Sequence, residues 1–400
     1  MRKLFSIAVM IALLLFSTSI RAEIASGTCN ENISWTLSDD GVLKITGSGD
    51  MPDFNGSTPW QDSKNSIYEV EIGEGVTSVG DWTFDACCNL KSVNIPVGMT
   101  SIGNGAFYGC SSLSSIKLPK EVTYIGYGAF SGCSTLYTII IPEGVTIINN
   151  ATFRDCSSLY YVSIPEGVTS IGDSSFRGCS YLSSINIPNS VTVIGSNAFS
   201  GCNFTFINIP EGVTSIGYSA FSSCHNLTTI NIPEGVTTIK KDTFYGCTSL
   251  KSVIIPASVT TIEECAFFLC YVHYVTCKSY NPPTMGYNAF MPYITSLTIY
   301  RGAYEAYKKD ATWSKFTDYV VFMNDETDIK SVNTRAVMVK AADGVVTLCG
   351  LDSGESVAFY TTNGQKIGSV KAVEGVASCA TSEKIIVAKV GELSISIMNR

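Results

Sequence analysis

SIGNGAFYGCSSLSSIKLPKEVT, Ser101–Thr123, is the clearest copy of a phrase that returns about every 23 residues between Val70 and Phe290. Aligned on its aromatic, the phrase gives Phe84, Phe107, Phe130, Phe153, Phe176, Phe199, Phe221, Phe244, Phe267 and Phe290, with one 22-residue step between Phe199 and Phe221. Cys87, Cys110, Cys133, Cys156, Cys179, Cys202, Cys224, Cys247 and Cys270 form a second ladder, and prolines from Pro96 to Pro256 a third. A unit this short cannot bury its own apolar side and must stack on its neighbours, so the chain is expected to be a solenoid.

Each copy divides into parts with a physical reason. Pairs such as Val93 and Ile95, Ile139 and Ile141, Val162 and Ile164, and Ile185 and Ile187 are spaced by two, as the inward residues of a short strand are. The proline that follows has no N–H to offer a ladder and ends the strand. A turn such as Glu143-Gly144, a second apolar pair such as Val168 and Ile171, and a short helical or irregular arc carrying the Phe complete the coil. One continuous parallel sheet is expected along one side. Ten coils at roughly 4.8 Å each would extend about 45–50 Å.

The flanks differ. Residues 23–66 contain ISWTLSDDGVLKITGSG, a hairpin pattern with its turn at Asp39-Asp40-Gly41, expected to cap the first coil. After a solenoid over 67–300, residues 301–322 hold an amphipathic stretch, Tyr304 to Phe316, read as a capping helix, and 323–334 read as a polar linker. Residues 335–400 alternate in short runs with turns at Asp343-Gly344, Asn363-Gly364 and Gly391-Glu392, the pattern of a small all-β sandwich.

Arg2 and Lys3, the apolar run Leu4–Phe16 and the small residues before Ala22 read as a secretory signal peptide over 1–22. Its removal takes away Arg2, Lys3 and Arg21 and no acid, moving the formal charge from −8 to −11. An acidic chain without a basic patch argues against nucleic acid as a partner. The ladder cysteines repeat one structural position and are expected to be packed thiols, with some pairing left open by a coil spacing that disulfide geometry accepts.

The phrase IGxxAFxGCxxLxxIxIPxGVTxI resembles the BspA-like leucine-rich repeats of bacterial surface proteins. The resemblance extends to Ser26–Phe54, similar to the family's N-terminal cap, and to Ile299–Phe316, similar to its last coil and helix. The tail, with FYTTNGQKI at Phe359–Ile367 and IIVAKVGELSISIMNR at Ile385–Arg400, is similar to the C-terminal domains that direct type IX secretion. The resemblance implies a protein of the cell surface or extracellular space, attached to host matrix or other bacteria, and outer-membrane secretion machinery as a partner. It carries no catalytic or cofactor residue.

The positions that the phrase leaves free are the candidates for function. Outward places on the strand are mostly Ser, Thr, Asn or Lys, but in the middle coils they become Tyr137, Ile140, Tyr160, Tyr161 and Phe206, amphipathic contact area of the kind enriched in binding hot spots. Tyr124, Tyr127, Tyr181 and Tyr218 are placed on arcs or edges. An extracellular protein or glycan is the expected ligand; a structural envelope protein of the periplasm, with no specific ligand, is the alternative. The structural ladder Phe107, Phe130, Phe153, Phe176 and Phe199, with Cys110, Cys133, Cys156, Cys179 and Cys202, is assigned to the core and not to a site. Glu74, Glu143, Glu166, Glu211 and Glu234 recur at the turns as isolated carboxylates, too sparse for an oxygen-ligand site. Cys265, Cys270, His273 and Cys277 lack the close C-x2-C pair of a structural zinc site, and no metal or cofactor is expected. His225 and His273, the only histidines, each lie near a ladder cysteine in ordinary repeats, so no enzyme is expected.

Overall fold

The structure, a computed structural model, describes residues 22–323 and, between 338 and 398, the strands with a few of their turns. The expected signal peptide up to residue 21, most of the expected linker and the three turns of the tail lie outside the described residues. The chain divides into two units, Met1–Asp325 and Glu326–Arg400.

The first unit is a solenoid whose ten coils are numbered here from Phe84 to Phe290. Each coil has three sides. On the first, Thr138–Ile140 of coil 4 pairs in parallel with Tyr161–Ser163 of coil 5, each residue opposite the one 23 places on. On the second, two-residue strands such as Ser170–Ile171, Val193–Ile194 and Ser215–Ile216 form another parallel ladder. Each of these is entered through a threonine whose N–H reaches the threonine carbonyl of the coil before, as Thr192 does to Thr169 at 2.9 Å. A second parallel side was not expected; its strands are too short for alternation to signal them.

The third side is the phenylalanine arc. From Phe84 to Phe290 the rings stack at centroid separations of 4.7–5.7 Å. Trp60 stacks on Phe84 at one end, and Trp313 meets Phe290 edge-on at the other. The backbone two residues before and two after each Phe turns to positive φ, except after Phe290, where Pro292 follows, and all twelve described non-glycine residues with positive φ occupy these places. The alternation aims every second N–H at the next coil: those of Gly105, Phe107 and Gly109 reach the carbonyls of Tyr127, Ala129 and Ser131 at 2.7–2.8 Å. The left-handed conformation costs roughly 1–2 kcal/mol at a non-glycine residue, and this ladder offsets it.

The cysteines complete the arc. Each thiol from Cys110 to Cys270 donates to the carbonyl of the Phe one coil back, as Cys133 does to Phe107 and Cys156 to Phe130, at 2.9–3.3 Å across the series. The same carbonyl accepts the backbone N–H of its own coil's cysteine, for example Cys110 N to Phe107 O at 3.2 Å. Both lone pairs of a buried carbonyl are thereby satisfied, which alanine could not do. Burial pushes the Cys133 and Cys224 thiols up to about 12, so they remain protonated donors. All cysteines with described side chains are free thiols.

The first side departs from one unbroken sheet. Coils 4 and 5 pair, coils 7 and 8 pair, and the segment 183–187 of coil 6 has no strand partner. The 22-residue step falls beside this break. Cys202-Asn203-Phe204 is one residue shorter than Cys179-Ser180-Tyr181-Leu182 one coil earlier, and Phe204 takes the leucine place with its ring edge-on to Phe199 at 5.7 Å. Ile185 is only half-buried, as are Val93 and Ile95 beside the similar break after coil 2.

The N-terminal hairpin, Ile33–Ser38 with Val42–Gly47, is present, and a further strand, Glu23–Thr28, flanks it. Val42–Ile45 then pairs in parallel with Glu69–Ile72 of coil 1, so the cap is continuous with the first side. At the other end the expected single helix over Tyr304 to Phe316 is two pieces: an α-helix at Tyr304–Lys309 and a 3-10 turn at Ser314–Tyr319. Asp310 separates them, its carboxylate accepting from the N–H groups of Thr312 and Trp313. The chain then returns as a strand, Val320–Met323, parallel to Ser296–Tyr300.

The second unit is two antiparallel sheets. One contains Met338–Ala342, Val345–Cys349 and Val376–Ala380, the other Ser356–Thr361, Lys366–Lys371, Ile385–Val390 and Leu393–Met398. Val346, Leu348, Val357 and Phe359 share one small core. Val376–Ala380 was not expected as a strand, because VASCA lacks large apolar residues to mark alternation.

Candidate functional site

The strand side in coils 4 to 8 presents three outward rows. They read Tyr137, Thr138, Ile140; Tyr160, Tyr161, Ser163; Ser183, Ser184, Asn186; Thr205, Phe206, Asn208; and Thr228, Thr229, Asn231. The inward residues, such as Ile139, Val162 and Ile207, are buried, and the period of two turns Thr138, Ile140, Tyr161 and Phe206 outward, while Tyr137 and Tyr160 are exposed just before the strands begin. Tyr137, Ile140, Tyr160, Tyr161 and Phe206 are accordingly 51%, 67%, 50%, 52% and 40% exposed.

The structure brings these residues onto one face but not into one cluster. Tyr137 and Tyr160 stack on each other, ring centroids 5.4 Å apart and planes within 8°. Tyr161 lies beside them in coil 5, and Ile140 at the far end of the coil 4 strand. Phe206 stands two coils from Tyr161, across coil 6, where Ser184 takes the equivalent place. A groove of 420 Å³ opens between coils 5 and 6, lined by Tyr161, Val162, Ser163, Ile164, Ser184, Ile185 and Asn186. It coincides with the break in strand pairing described above.

None of the fifteen outward residues of these coils carries a charge. In the outer coils the same rows hold Glu69, Glu71, Lys91, Lys117 and Lys251. The turns bordering the face are acidic, with Glu143, Glu166, Glu211 and Glu234 exposed. Glu211 accepts a hydrogen bond from the Asn231 amide at 3.2 Å. An uncharged, amide- and hydroxyl-rich face with aromatic contact area and an acidic border suits a neutral ligand and disfavours an anionic one.

A second group of exposed aromatics escaped sequence reading. Tyr271 and Tyr293 stack at 5.9 Å, and Lys251 lies over the Tyr271 ring at 4.7 Å. Ile254 and Tyr274 are exposed on the strand side in the rows of Ile140 and Tyr161. The signal was present, but the residue missing between Cys270 and Cys277 shifts the register that would have aligned them. Tyr124, expected on an arc or edge, lies in the second parallel side as part of Tyr124–Ile125, with Ile147 and Val193 exposed in the same row.

The remaining polar candidates do not converge. Among the described residues no group of three or more His, Cys, Asp or Glu could hold a metal ion. Cys270 and Cys277 are buried, and His273 bonds through Nδ1 to the Tyr293 carbonyl at 3.0 Å. His225 does the same to Gly246 at 2.9 Å. Neither imidazole faces a nucleophile.

Among solved structures, a leucine-rich repeat protein from Eubacterium ventriosum is 24% identical, covering 77% of this chain and 99% of its own, with a TM-score of 0.42. A leucine-rich repeat protein from Bacteroides ovatus is 24% identical over 74% of this chain and 99% of its own, with a TM-score of 0.40. A leucine rich cell surface protein from Faecalibacterium prausnitzii is 24% identical over 75% and 94%, with a TM-score of 0.38. No curated protein matches the chain. Six copies of the BspA type leucine rich repeat region match residues 62–183 and 169–296, more than half of the sequence. With its coils, ladders and terminal caps as described, the chain belongs to the BspA type leucine-rich repeat proteins.

Proposed function

We propose that this is an exported, surface-exposed binding protein whose strand side, in coils 4 to 7, engages an extracellular macromolecule. The observation that carries the reading is the concentration of exposed Tyr137, Ile140, Tyr160, Tyr161 and Phe206 on a stretch without charge. The inward side of the coil is already filled without these aromatics, and they contribute most when a partner covers them. The apolar run at the N-terminus supports export, and the cell-surface description of the F. prausnitzii protein supports the same address. The tail unit would then serve as the signal read by outer-membrane secretion machinery. Host matrix proteins and glycans are the partners to be screened.

The test is a binding screen of the mature protein against matrix proteins and glycans, repeated with Tyr137, Tyr160, Tyr161 and Phe206 changed together to Ser. Loss of at least tenfold in affinity for the selected partner is expected. Unchanged binding by the quadruple variant would exclude this face. Protease treatment of intact cells tests the address: cleavage only after lysis would place the protein inside the envelope as a structural component.

A further inference from the structure

The outward row that runs Tyr161, Ser184, Phe206 has a ring in the fifth coil, none in the sixth and a ring in the seventh. Rings on adjacent coils of this face do stack, as Tyr137 and Tyr160 do at 5.4 Å. Ser184 therefore leaves a vacancy one coil wide. Two coil steps of about 4.8 Å separate Tyr161 from Phe206 by roughly 10 Å, room for one flat ring in carbon contact, about 3.5–4.0 Å, with a side chain on each side. The floor is not closed by sheet hydrogen bonds, since segment 183–187 pairs with neither neighbour, and the 420 Å³ groove opens on the Tyr161 side of Ser184.

The surroundings select the ring. Beyond Ser184 along the strand, Asn186 begins an amide row continued by Asn208 and Asn231, one per coil. Among the described hydrogen bonds only Asn231 of the three has a partner, Glu211. Aromatic flanks for an apolar ring face, with serine hydroxyls and free amides about 7 Å away along the strand, match a pyranose, which has apolar C–H faces and an equatorial rim of hydroxyls. The absence of charge from the outward rows of coils 4 to 8, and the acidic turns beside them, disfavour a ligand whose recognition rests on sulfate, phosphate or carboxylate.

We infer that the vacancy at Ser184 is a sugar subsite, one pyranose of a neutral glycan being held between Tyr161 and Phe206 with its hydroxyl rim toward Asn186 and Asn208. This deepens the strand-side reading of the preceding section and rests on it.

The experiment measures binding of the mature protein to immobilised neutral β-linked oligosaccharides of four to six residues, to a sulfated glycan and to gelatin. Four proteins are compared: wild type, Ser184→Trp, Asn186→Ala with Asn208→Ala, and Tyr161→Ser with Phe206→Ser. Ser184 is exposed, so the tryptophan can fill the vacancy without entering the core; circular dichroism and melting temperature check that the coil is intact. Binding of a neutral oligosaccharide, weakened at least tenfold by Ser184→Trp and by the paired Tyr161/Phe206 change, and three- to tenfold by the asparagine pair, supports the subsite. Neutral-glycan binding that Tyr161/Phe206 abolishes but Ser184→Trp leaves intact overturns the subsite while keeping the face. Binding to gelatin alone, lost on Tyr161/Phe206 substitution, overturns the glycan and keeps the face. Preference for the sulfated glycan, or no binding to any neutral oligosaccharide, overturns the inference outright, and binding unaffected by every variant overturns the face as well.

Discussion

Replacing Phe153 by alanine removes one ring from the middle of the stack. That ring is fully buried, 5.7 Å from Phe130 on one side and 5.4 Å from Phe176 on the other, with planes nearly parallel. Deletion of a buried Phe costs about 3–5 kcal/mol, with the higher values where the cavity cannot collapse. Here collapse is resisted, because the backbone of each neighbouring ring is tied to the next coil: Phe130 N–H bonds to Thr152 O at 2.9 Å and Phe176 N–H to Ala198 O at 2.8 Å. Two stacked pairs, each worth about 0.5–1.5 kcal/mol beyond area burial, are lost as well. A loss of about 4–5 kcal/mol is expected from urea unfolding of the mature protein followed by circular dichroism. Phe290→Ala, at the end of the stack and slightly exposed, is expected to cost about 3 kcal/mol. A Phe153→Ala loss below about 1 kcal/mol, or a larger loss at Phe290, would refute the view that the ladder is the continuous core.

Three further outcomes follow from the arc. Burial raises Cys133 and Cys224 to about 12, above the ordinary 9.0 of the unfolded chain, so the fold keeps protons that the unfolded chain releases. Stability is then complete below about pH 9 and falls between 9 and 12, by up to about 1.4 kcal/mol per pH unit for each such thiol; a urea midpoint that stays flat from pH 8 to 11 would rule this out. Labelling with a thiol reagent at pH 8 is expected to modify Cys88, the cysteine classed as exposed, rapidly, and the ladder thiols only on unfolding; fast labelling of Cys156 in the native protein would contradict the packing. Ser223, at φ +60°, stands where five other coils have glycine, so Ser223→Gly should stabilise the protein by roughly 1 kcal/mol, read as a shift in urea midpoint; destabilisation would show that the backbone there is not strained.

The core was legible because every ladder position repeats a chemical requirement: a ring to stack, a thiol to donate, a proline to stop a strand. The repetition of Phe107, Cys110 and Pro119 names the inside without any structural information. What repeats less cleanly was harder to see. The second parallel side consists of two-residue strands, whose Ser170-Ile171 or Thr238-Ile239 carries too little alternation to register. The break at coil 6 adjoins a single deleted residue before Phe204, visible as a 22-residue step but silent about strand pairing. The candidate face was partly legible: Tyr161 and Phe206 follow as outward from the period of two, whereas the exposure of Tyr137 and Tyr160, just before the strands, does not. Their separation into a stacked pair, a vacancy and a lone Phe depends on counting coils across that step. Tyr274 and Ile254 were hidden by the later deletion before Cys277.

The central claim, that the strand side of coils 4 to 7 is the binding face, is tested most directly by comparing the two parallel sides of the same solenoid. One variant carries Tyr137, Tyr160, Tyr161 and Phe206 as Ser; the other carries Tyr124, Ile147 and Val193 as Ser on the second side, all of these residues being exposed. Affinity for the partner selected by the wild-type protein is measured by surface plasmon resonance, with matched melting temperatures. Loss of at least tenfold in the first variant and less than twofold in the second is expected. Equal retention in both, or loss confined to the second, would contradict the account.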